Sequence, residues 1–474
     1  MCSSDLKAQL RGYQQIGFSF LCLLTRAGFG ACLADDMGLG KTVQTIAWLL
    51  RRRETEKSPA LVVAPMTVTA NWMRELVRFA PGLRAVLHLG PDRPAYAAFR
   101  RAAAKADVVV TGYALLVKDF RLFADAGFGA LVLDEAQMVK NPDSHVSRAA
   151  RALGAPMRVA LTGTPFENSA LDLWAIEEFL NPGLLGARAD FLRDFVRPIR
   201  ADAASPAAAR LRRALEPFVL RRLKTDPGVA AELGAKREIR EYCPLSEAQR
   251  RDYARALERY RMDAAGGADG GRAGRMLALL TELKLVCDGF SDGVWDAAGG
   301  KAARLDELLE QIFAAGESAL VFTQYAKAGA ALKAHLENRF GRGIPFLHGG
   351  LSLAARTRQI AAFNAAPEPT AFVLSLRAGG FGLNLTRATH VIHFDRWWNP
   401  AVESQATDRA HRIGQPKDVF VHLLIAGGTL EDRVDALLES KRRMAGEVVA
   451  SGTAFLLKMG DEEFGKLVEL GEGA

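Results

Sequence analysis

The sequence predicts an α/β fold made of two successive lobes, each a parallel sheet flanked by helices. Three observations predict it. Apolar runs of strand length alternate with stretches of helical period, as in βαβ units. That alternation is interrupted once, and the interruption contains a glycine-rich segment, GGADGGRAG, within 264–274. Finally, a chain of 474 residues is long for a single hydrophobic core.

The first lobe is predicted to begin with a helix, because apolar residues recur at helical spacing from Leu10 to Leu24. A loop and a second helix follow the first apolar run, and later runs again alternate with helical stretches. The expected buried strands of this lobe are Ala31–Ala34, Ala60–Ala64, Ala85–Leu89, Val108–Thr111, Ala130–Leu133 and Arg158–Leu161.

A mainly helical region with little strand signal is predicted from Ser169 to Tyr260. Its segment 205–225 carries six basic residues and one acidic residue, and these either contact phosphates or form an ordinary solvated surface. The basic residues are Arg210, Arg212, Arg213, Arg221, Arg222 and Lys224.

A second alternation of strands and helices begins near Lys301. Its expected strands are Ala319–Phe322, Ile344–Leu347, Ala371–Leu376, Thr389–Phe394 and Val419–Ile425. We therefore expect three parts: a lobe over 1–225 with a helical insertion at about 169–225, a helical protrusion and flexible linker over 226–300, and a second lobe over 301–474.

The composition favours a soluble protein with a polyanionic partner. The 62 Lys and Arg residues exceed the 54 Asp and Glu residues, for a net charge of +8, although a basic surface that only maintains solubility is equally consistent. The five cysteines are scattered and show no CxxC spacing, which is typical of a reducing compartment and argues against zinc. No apolar run reaches membrane-spanning length, and no signal peptide is apparent.

The stretch ADDMGLGKT, from Ala34 to Thr42, lies between the first strand and the second helix. Gly38 and Gly40 permit backbone angles that direct several N–H groups at one anion. Lys41 is placed to reach the outer phosphates of a nucleotide, and the Thr42 hydroxyl is placed to hold Mg²⁺. The alternative is a simple turn before a helix that happens to begin with lysine.

Two carboxylates, Asp134 and Glu135, follow the strand ALVL directly, at the strand end where α/β proteins bind ligands. Asp134 would hold Mg²⁺ and Glu135 would orient or deprotonate the attacking water. An acidic turn that caps the next helix is the alternative.

The turn LTGTPFEN follows another strand, and its Thr162 and Thr164 are hypothesised to relay the state of the phosphate.

In the second lobe, Gln405, Arg409 and Arg412 are spaced by four and three residues, so a helix would align them on one face. Such a face is often simply solvated. Two arginines from a separate lobe are also what phosphoryl transfer needs to neutralise charge on the γ-phosphate, and an arginine finger raises the rate by about 10³–10⁵-fold.

The ordered motifs of the chain resemble those of one family. Gln14, DDMGLGKT, VVAPMTVTANW, VTGYALL, DEAQ, LTGTPFEN, VFTQY, SLRAGGFGLNLT, DRWWNP and QATDRAHRIGQ follow one another from about Leu10 to Val434. This order resembles the SWI/SNF-type, chromatin-remodeller-like ATPases of helicase superfamily 2, and most of all their compact bacterial members. The resemblance implies two RecA-like lobes and ATP-driven translocation on double-stranded DNA, generally without strand separation.

The resemblance also implies roles for particular residues. Glu135, Lys41, Arg409 and Arg412 would be catalytic, Thr42 and Asp134 would hold Mg²⁺, and Gln14 would recognise adenine. The expected ATP-binding residues are Gln14, Asp35, Met37, Gly38, Leu39, Gly40, Lys41, Thr42, Gly382 and Gln405. The expected DNA-binding residues are Pro65, Thr67, Asn71, Thr111, Thr323, Gln324, Ser375, Gly379, Trp397 and Trp398.

Three positions depart from the family pattern. Asp35 stands at the usual first glycine of the phosphate loop, Gln137 where histidine is commoner, and Arg377 where lysine is frequent. The last two departures concern how strongly ATP hydrolysis is coupled to movement.

The function expected is that of a DNA-stimulated ATPase that translocates on duplex DNA and remodels protein–DNA complexes. It would use ATP and Mg²⁺, contact the phosphate backbone with little sequence preference, and act in the cytoplasm on the nucleoid if bacterial. A DNA-bound protein is a possible target, and no membrane partner is expected. The alternatives are a strand-separating RNA or DNA helicase, the catalytic fragment of a larger remodelling protein, and a non-catalytic nucleotide-dependent binding module.

Overall fold

The chain divides into two compact units, Met1–Glu232 and Leu233–Ala474. A computed structural model describes residues 5–90, 93–163, 170–202, 205–231, 233–265, 271–291, 294–297, 299–376, 383–397, 400–444 and 459–471. No helix among these residues combines the length and the apolar character needed to cross a membrane.

The first unit is built on one seven-stranded parallel sheet with the strand order β3-β4-β2-β5-β6-β1-β7. All residues of β2, β4 and β5 are buried, because helices cover both faces of a parallel sheet. The strands are β1 (Ala31–Leu33), β2 (Ala60–Ala64), β3 (Ala85–His88), β4 (Val108–Gly112), β5 (Ala130–Asp134), β6 (Met157–Leu161) and β7 (Val219–Leu220).

Helices connect these strands, and the group between β6 and β7 forms an insertion. The helix α3 (Met66–Phe79) is amphipathic, burying Val68, Trp72 and Leu76. The other helices are α1 (Gly12–Arg26), α2 (Lys41–Thr55), α4 (Tyr96–Lys105), α5 (Tyr113–Lys118), α6 (Phe120–Ala124), α7 (His145–Ala152), α8 (Ala170–Leu180), α9 (Arg188–Phe191), α10 (Arg197–Ala201), α11 (Pro206–Leu215) and α12 (Pro227–Ala230), with a 3-10 helix at Ala136–Val139 and a π-helix at Leu192–Val196.

The second unit contains a six-stranded parallel sheet with the order β12-β13-β11-β14-β15-β8, and a small antiparallel hairpin of β9 and β10. Its strands are β8 (Lys236–Cys243), β9 (Phe290–Ser291), β10 (Val294–Trp295), β11 (Ala319–Thr323), β12 (Phe346–Leu347), β13 (Ala371–Ser375), β14 (His390–His393) and β15 (Val419–Ala426). Its helices are α13 (Glu247–Ala265), α14 (Arg272–Cys287), α15 (Gly300–Ala314), α16 (Ala326–Phe340), α17 (Leu353–Ala365), α18 (Pro400–Thr407), α19 (Leu430–Met444) and α20 (Asp461–Val468).

The two α/β lobes expected from the sequence are confirmed, and each apolar run interpreted as a strand forms one. The pattern did not reveal β8, an edge strand whose first five residues are exposed and four of those five charged. Because β8 pairs with β15 along all eight of its residues, the second unit begins before it, within the segment 226–300 that the sequence-based division set apart.

Strand order decides which residues of the first unit lie near one another. The carboxyl ends of parallel strands meet at one edge of the sheet, and β5, β6 and β1 are neighbours there. That edge therefore brings the acid pair at the end of β5 beside the turn after β6 and the glycine-rich loop after β1.

Candidate active site

The loop between β1 and α2 has the backbone of an anion cradle. Gly38 and Gly40 have φ angles of 85° and 78°, in the left-handed region that glycine tolerates. A Cβ atom on Gly40 would lie 2.5 Å from Nε2 of Gln14. The free N–H groups at the start of α2 follow immediately, and they attract phosphate.

Lys41 begins α2 and is half-buried beside this loop. Its ammonium group donates hydrogen bonds to the backbone carbonyls of Asp35, at 2.5 Å, and Asp36, at 3.1 Å. Among the described residues it forms no ion pair with a carboxylate. Its charge is therefore available to a phosphate, which is a stronger acceptor than a peptide carbonyl.

Gln14 reaches the loop from α1 and is 4% exposed. Its Nε2 donates to the Leu39 carbonyl at 3.2 Å, and its Oε1 accepts from the Arg11 backbone at 3.1 Å. The Tyr13 hydroxyl donates to the same Leu39 carbonyl at 3.1 Å. The structure thus brings Gln14 to the loop, with both ends of its amide bonded within the chain. Adenine recognition by Gln14 stays a prediction.

The remaining residues of the phosphate loop differ in the exposed fraction of their side chains. Met37 and Leu39 are buried, at 8% and 0% exposure, so their side chains pack inside the unit. A Cβ atom on Gly163, after β6, would lie 2.7 Å from Cγ of Met37. Thr42 is half-buried in the first turn of α2.

Asp35 occupies the usual glycine position because it forms a buried ion pair. Its side chain is inaccessible, and its Oδ1 accepts from Nε of Arg222 at 2.8 Å while its Oδ2 accepts from Nη2. Nη2 also donates to Oε1 of Gln44, on α2, at 2.9 Å. The Asp35 carboxylate therefore bonds within the unit and holds the loop. ATP binding at Asp35 stays a prediction.

The structure places Arg222 differently from the exposed basic surface expected for its segment. It belongs to the basic segment 205–225, which sequence reasoning described as a phosphate-contacting or solvated surface, yet it is only 9% exposed. The chain around it runs beside the phosphate loop, since the Asp36 backbone donates to the Arg222 carbonyl at 2.9 Å and the Lys224 backbone donates to the Asp36 carboxylate at 2.9 Å. Arg222 thus fastens the loop to the segment that follows β7.

Asp134, the last residue of β5, carries a carboxylate suited to a cation. Its Oδ1 accepts from the Glu135 backbone at 2.9 Å and its Oδ2 from the Trp72 indole at 2.8 Å. Burial, and then the charge of Glu135, raise the pKa of Asp134 to about 7, while Trp72 and Lys41 oppose the rise. A divalent cation would favour the ionised form, so the donor set of Asp134 and Thr42 fits Mg²⁺.

Glu135 stands in an unusual backbone conformation, with φ 53° and ψ 55°. Among the described residues other than glycine, it alone has a positive φ. The left-handed region costs a non-glycine residue about 1–3 kcal/mol, and such strain is often stored at functional sites. The 3-10 helix Ala136–Val139 begins directly after this residue.

Gln137 connects Glu135 to the next strand. Its Nε2 donates to Oε2 of Glu135 at 2.7 Å, and its Oε1 accepts from the Thr162 hydroxyl at 3.0 Å. An amide can donate and accept at once without titrating, which explains how glutamine serves where histidine is commoner. The predicted relay thus has a bonded path through Thr162; Thr164 lies outside the described residues.

The second unit corrects the expected helix of arginines. The helix α18 contains Gln405, which is half-buried, but ends at Thr407, so Arg409 and Arg412 lie in the following turns. A tertiary contact holds these turns, because Nε2 of His411 donates to the Gly234 carbonyl at 2.9 Å. Arg409 is 4% exposed, and Nη1 of Arg412 donates to the Leu383 carbonyl at 3.0 Å. Gly382 lies outside the described residues.

In the first unit, the expected DNA-contacting residues divide into two groups. Pro65 caps α3, and Thr67 and Asn71 lie half-buried along that helix. Thr111 is fully buried, and its hydroxyl donates to the His88 carbonyl at 3.0 Å. The Thr111 hydroxyl thus bonds inside the unit, and a DNA contact at Thr111 stays a prediction.

In the second unit, Thr323 is likewise inside. It is fully buried and its hydroxyl donates to Oδ2 of Asp395 at 2.6 Å. A DNA contact at Thr323 also stays a prediction. Gln324 and Trp397 are half-buried, and Ser375 is 6% exposed. Gly379, Trp398 and Arg377 lie outside the described residues.

Sequence reasoning missed three residues that hold the site: Trp72, Tyr113 and Arg222. Trp72 and Tyr113 were inside the quoted motifs VVAPMTVTANW and VTGYALL, where a buried indole or phenol requires a polar partner. This need for a polar partner could have indicated that Trp72 and Tyr113 bond to a nearby acceptor. Nothing local indicated Arg222, since its partner Asp35 lies 187 residues away.

Comparisons with known proteins identify the family. A model of the SNF2-related domain matches residues 13–290, and a model of the helicase conserved C-terminal domain matches residues 300–414. The putative ATP-dependent helicase/translocase YwqA of Bacillus subtilis is 43% identical over 460 residues, covering 95% of this chain and 50% of YwqA. The human SWI/SNF-related matrix-associated actin-dependent regulator of chromatin subfamily A member 1 is 37% identical over 466 residues, covering 94% of this chain and 44% of that protein.

Among solved structures, the Sulfolobus solfataricus SWI2/SNF2 ATPase core in complex with dsDNA is 38% identical, with 98% of each chain covered and a TM-score of 0.49. The chain spans about half the length of the curated relatives it matches. The SNF2-related match extends over more than half of the chain and includes the phosphate loop and the acid pair. The chain therefore belongs to the SNF2-related family of helicase-type ATPases.

Proposed function

We propose that this chain hydrolyses ATP to translocate along double-stranded DNA without obligatory strand separation. The observation that carries the proposal is the arrangement at one edge of the first sheet. There the phosphate loop after β1 and the acid pair of β5 share a sheet edge with Pro65 and α3 after β2. The name of the relative YwqA, a putative helicase/translocase, supports the same direction.

The chemistry follows from the residues of the first unit. Lys41 and the N–H groups of the loop hold the outer phosphates. Thr42 and Asp134 would hold Mg²⁺, which would neutralise phosphate charge when bound. Glu135 accepts a proton from the attacking water, and Gln137 holds Glu135 in place through the 2.7 Å hydrogen bond. To Arg409 and Arg412 we assign the role of neutralising charge on the γ-phosphate.

Movement requires that each cycle alter the DNA contacts of the two units in turn. On the first unit we assign contact to Pro65, Thr67 and Asn71, and on the second to Gln324, Ser375 and Trp397. Such contacts are mainly to phosphate and sugar, so little sequence preference is expected. A DNA-bound protein displaced by this movement would be the biological target, with the nucleoid as the site of action in a bacterial cell.

The test is ATP turnover of the full chain with duplex DNA, with single-stranded DNA and with RNA, over a range of salt concentrations. We expect strong stimulation by duplex alone and a steep fall with salt, as phosphate contacts are lost. Glu135→Gln should abolish turnover while ATP binding, followed by fluorescent-nucleotide anisotropy, is kept. Stimulation by RNA or single strands without duplex would overturn the proposal.

A second assay separates translocation from strand separation. A translocase displaces the third strand of a triplex and leaves a forked duplex paired. A strand-separating helicase unwinds the fork, so unwinding without triplex displacement would favour that alternative. If Glu135→Gln and the unaltered chain showed the same lack of turnover, the chain would be a nucleotide-dependent binding module.

A further inference from the structure

We propose that Trp72 and Tyr113 are positioning residues through which duplex DNA on the first unit sets the geometry of the acid pair Asp134–Glu135. This inference rests on the proposed function, since it takes α3 as DNA-facing. It adds to that function a physical route from the DNA surface to the hydrolytic site, made of two hydrogen bonds.

The first bond comes from α3. Trp72 is fully buried in the middle of this helix, and its indole Nε1 donates to Oδ2 of Asp134 at 2.8 Å. Thr67, Asn71 and Arg74 follow one another at helical spacing on a different face, half-buried or exposed. A helix moves as a rigid element, so a force on that face also displaces the Trp72 indole.

The second bond comes from the segment after β4. Tyr113 is 4% exposed at the start of α5, and its hydroxyl donates to the Asp134 carbonyl at 2.7 Å and lies 3.5 Å from the Glu135 carbonyl. The tyrosine therefore bonds to the backbone of the acid pair itself.

The backbone that these bonds hold is the strained one. Glu135 has φ 53° and ψ 55°, a conformation that persists only where surrounding contacts impose it. Trp72 fixes the carboxylate before the strained residue and Tyr113 fixes the peptide carbonyl at it. Loss or lengthening of either bond would let Glu135 relax, and its side chain would then change direction.

The helix α3, which brings the indole to the acid pair, also carries the proposed DNA contacts, and it packs against β4, the strand that leads into Tyr113. Hydrogen-bond energy falls steeply with distance and angle, so a small shift of α3 has a large effect at Asp134. A misplacement of about 1 Å at a catalytic group can change a rate by roughly 100-fold. DNA binding thus has a direct means of altering hydrolysis.

The test compares Trp72→Phe and Tyr113→Phe with two matched controls in the full chain. Trp48→Phe removes an equally buried indole, whose Nε1 donates to the Thr25 hydroxyl at 3.1 Å away from the acid pair. Tyr253→Phe removes a buried phenol of the second unit that donates to the Val468 carbonyl at 2.9 Å. For each variant, kcat and KM for ATP are measured with and without saturating duplex, together with duplex affinity and thermal melting.

We expect Trp72→Phe and Tyr113→Phe each to reduce the ratio of duplex-stimulated to unstimulated kcat by roughly 10-fold or more, with duplex affinity little changed. The controls should keep the ratio of the unaltered chain. An unchanged ratio in both test variants, or an equal loss in the controls, would overturn this inference and leave the proposed function standing. Absence of duplex stimulation in the unaltered chain would instead overturn the proposed function, and this inference with it.

Discussion

The two sheets each place a buried aspartate at a strand end, but the partners of the two carboxylates differ. Asp134 of the first unit is 8% exposed, and each of its oxygens accepts one bond, from Glu135 or from Trp72. Asp395 of the second unit is fully buried and accepts from the Thr323 hydroxyl at 2.6 Å and the Gln324 backbone at 2.9 Å. The first carboxylate remains accessible to a cation, whereas the second is enclosed by its own unit.

The same contrast holds for two lysines. Lys41 is half-buried and bonds to backbone carbonyls of its loop, which a phosphate can replace. Lys301 is 2% exposed and forms ion pairs with Asp288 at 2.9 Å and Glu431 at 2.7 Å. Lys41 therefore has partners that a ligand can replace, whereas the charge of Lys301 is neutralised by carboxylates inside the fold.

The largest effect on folding is expected from Lys301→Met. It leaves two buried carboxylates without their cation, which costs about 3–5 kcal/mol of unfolding free energy. Urea unfolding of the full chain measures this loss. Adding Glu431→Gln to the same variant should recover part of it, and an unfolding free energy equal to that of the unaltered chain would show that Lys301 is not structural.

For Lys41→Ala we expect the opposite result, a large loss of ATP turnover with little loss of stability. Removing a preorganised positive donor from a phosphoryl-transfer site lowers turnover by about 10²–10³-fold, while the melting temperature should change little because only loop carbonyls lose a partner. Duplex-stimulated ATP turnover and calorimetry provide the two readouts, with Lys57→Ala, an exposed lysine of the same unit, as the control. Retained turnover would remove Lys41 from the catalytic set.

Glu177 provides a pH test within the first unit, where a buried carboxyl of α8 has no catalytic role. Burial raises its pKa from 4.5 to about 7, opposed by Asn181. Since the native state holds this proton more tightly than the unfolded chain, stability falls as pH rises from about 4.5 to 7 and then levels off. Each pKa unit is about 1.4 kcal/mol, so Glu177→Gln should gain roughly 3 kcal/mol over the unaltered chain at pH 8 and almost nothing at pH 4.5.

Denaturant unfolding of Glu177→Gln and of the unaltered chain between pH 4.5 and 8 checks whether stability falls with rising pH as expected. Glu178→Gln, at the adjacent position whose carboxylate accepts from the Gly183 backbone at 3.0 Å, is the matched control. A pH-independent difference between Glu177→Gln and the unaltered chain would contradict the account.

The smallest effect is expected from Thr323→Val, which removes the hydroxyl that bonds to Asp395 and keeps the shape of the side chain. The loss of a hydrogen bond to a charged acceptor should cost about 2 kcal/mol of stability, whereas duplex affinity should stay within about twofold. Anisotropy titration of labelled duplex measures the affinity. A large loss of affinity at unchanged stability would instead show that Thr323 contacts DNA.

The strands and the phosphate loop could be predicted because their signals are local. Apolar runs mark buried strands, and Gly38 and Gly40 mark backbone angles that few other residues adopt. The edge strand β8 could not be recognised, because its side chains face solvent and carry charge. The burial of Thr111 and Thr323 was also missed, since a hydroxyl at a strand end can face either a ligand or an internal acceptor.

Contacts between residues far apart in the chain could not be predicted, because no local sequence pattern marks them. The Asp35–Arg222 pair joins residues far apart in the chain, and the turns after α18 contain a hydrogen bond between His411 and Gly234, which are 177 residues apart. Helical spacing alone therefore placed Arg409 and Arg412 on a helix that ends before them. Spacing indicates which conformations are possible, and tertiary hydrogen bonds decide between them.

The most direct test of the contrast between the units compares Asp134→Asn with Asp395→Asn in unstimulated ATP turnover and in melting temperature. We expect Asp134→Asn to lose at least about 100-fold in turnover with an unchanged or higher melting temperature, because burial makes its ionised carboxylate costly. Asp395→Asn should lower the melting temperature and keep turnover per folded molecule within about twofold. Equal losses of turnover in the two variants, or a melting temperature lowered equally by both, would contradict the account.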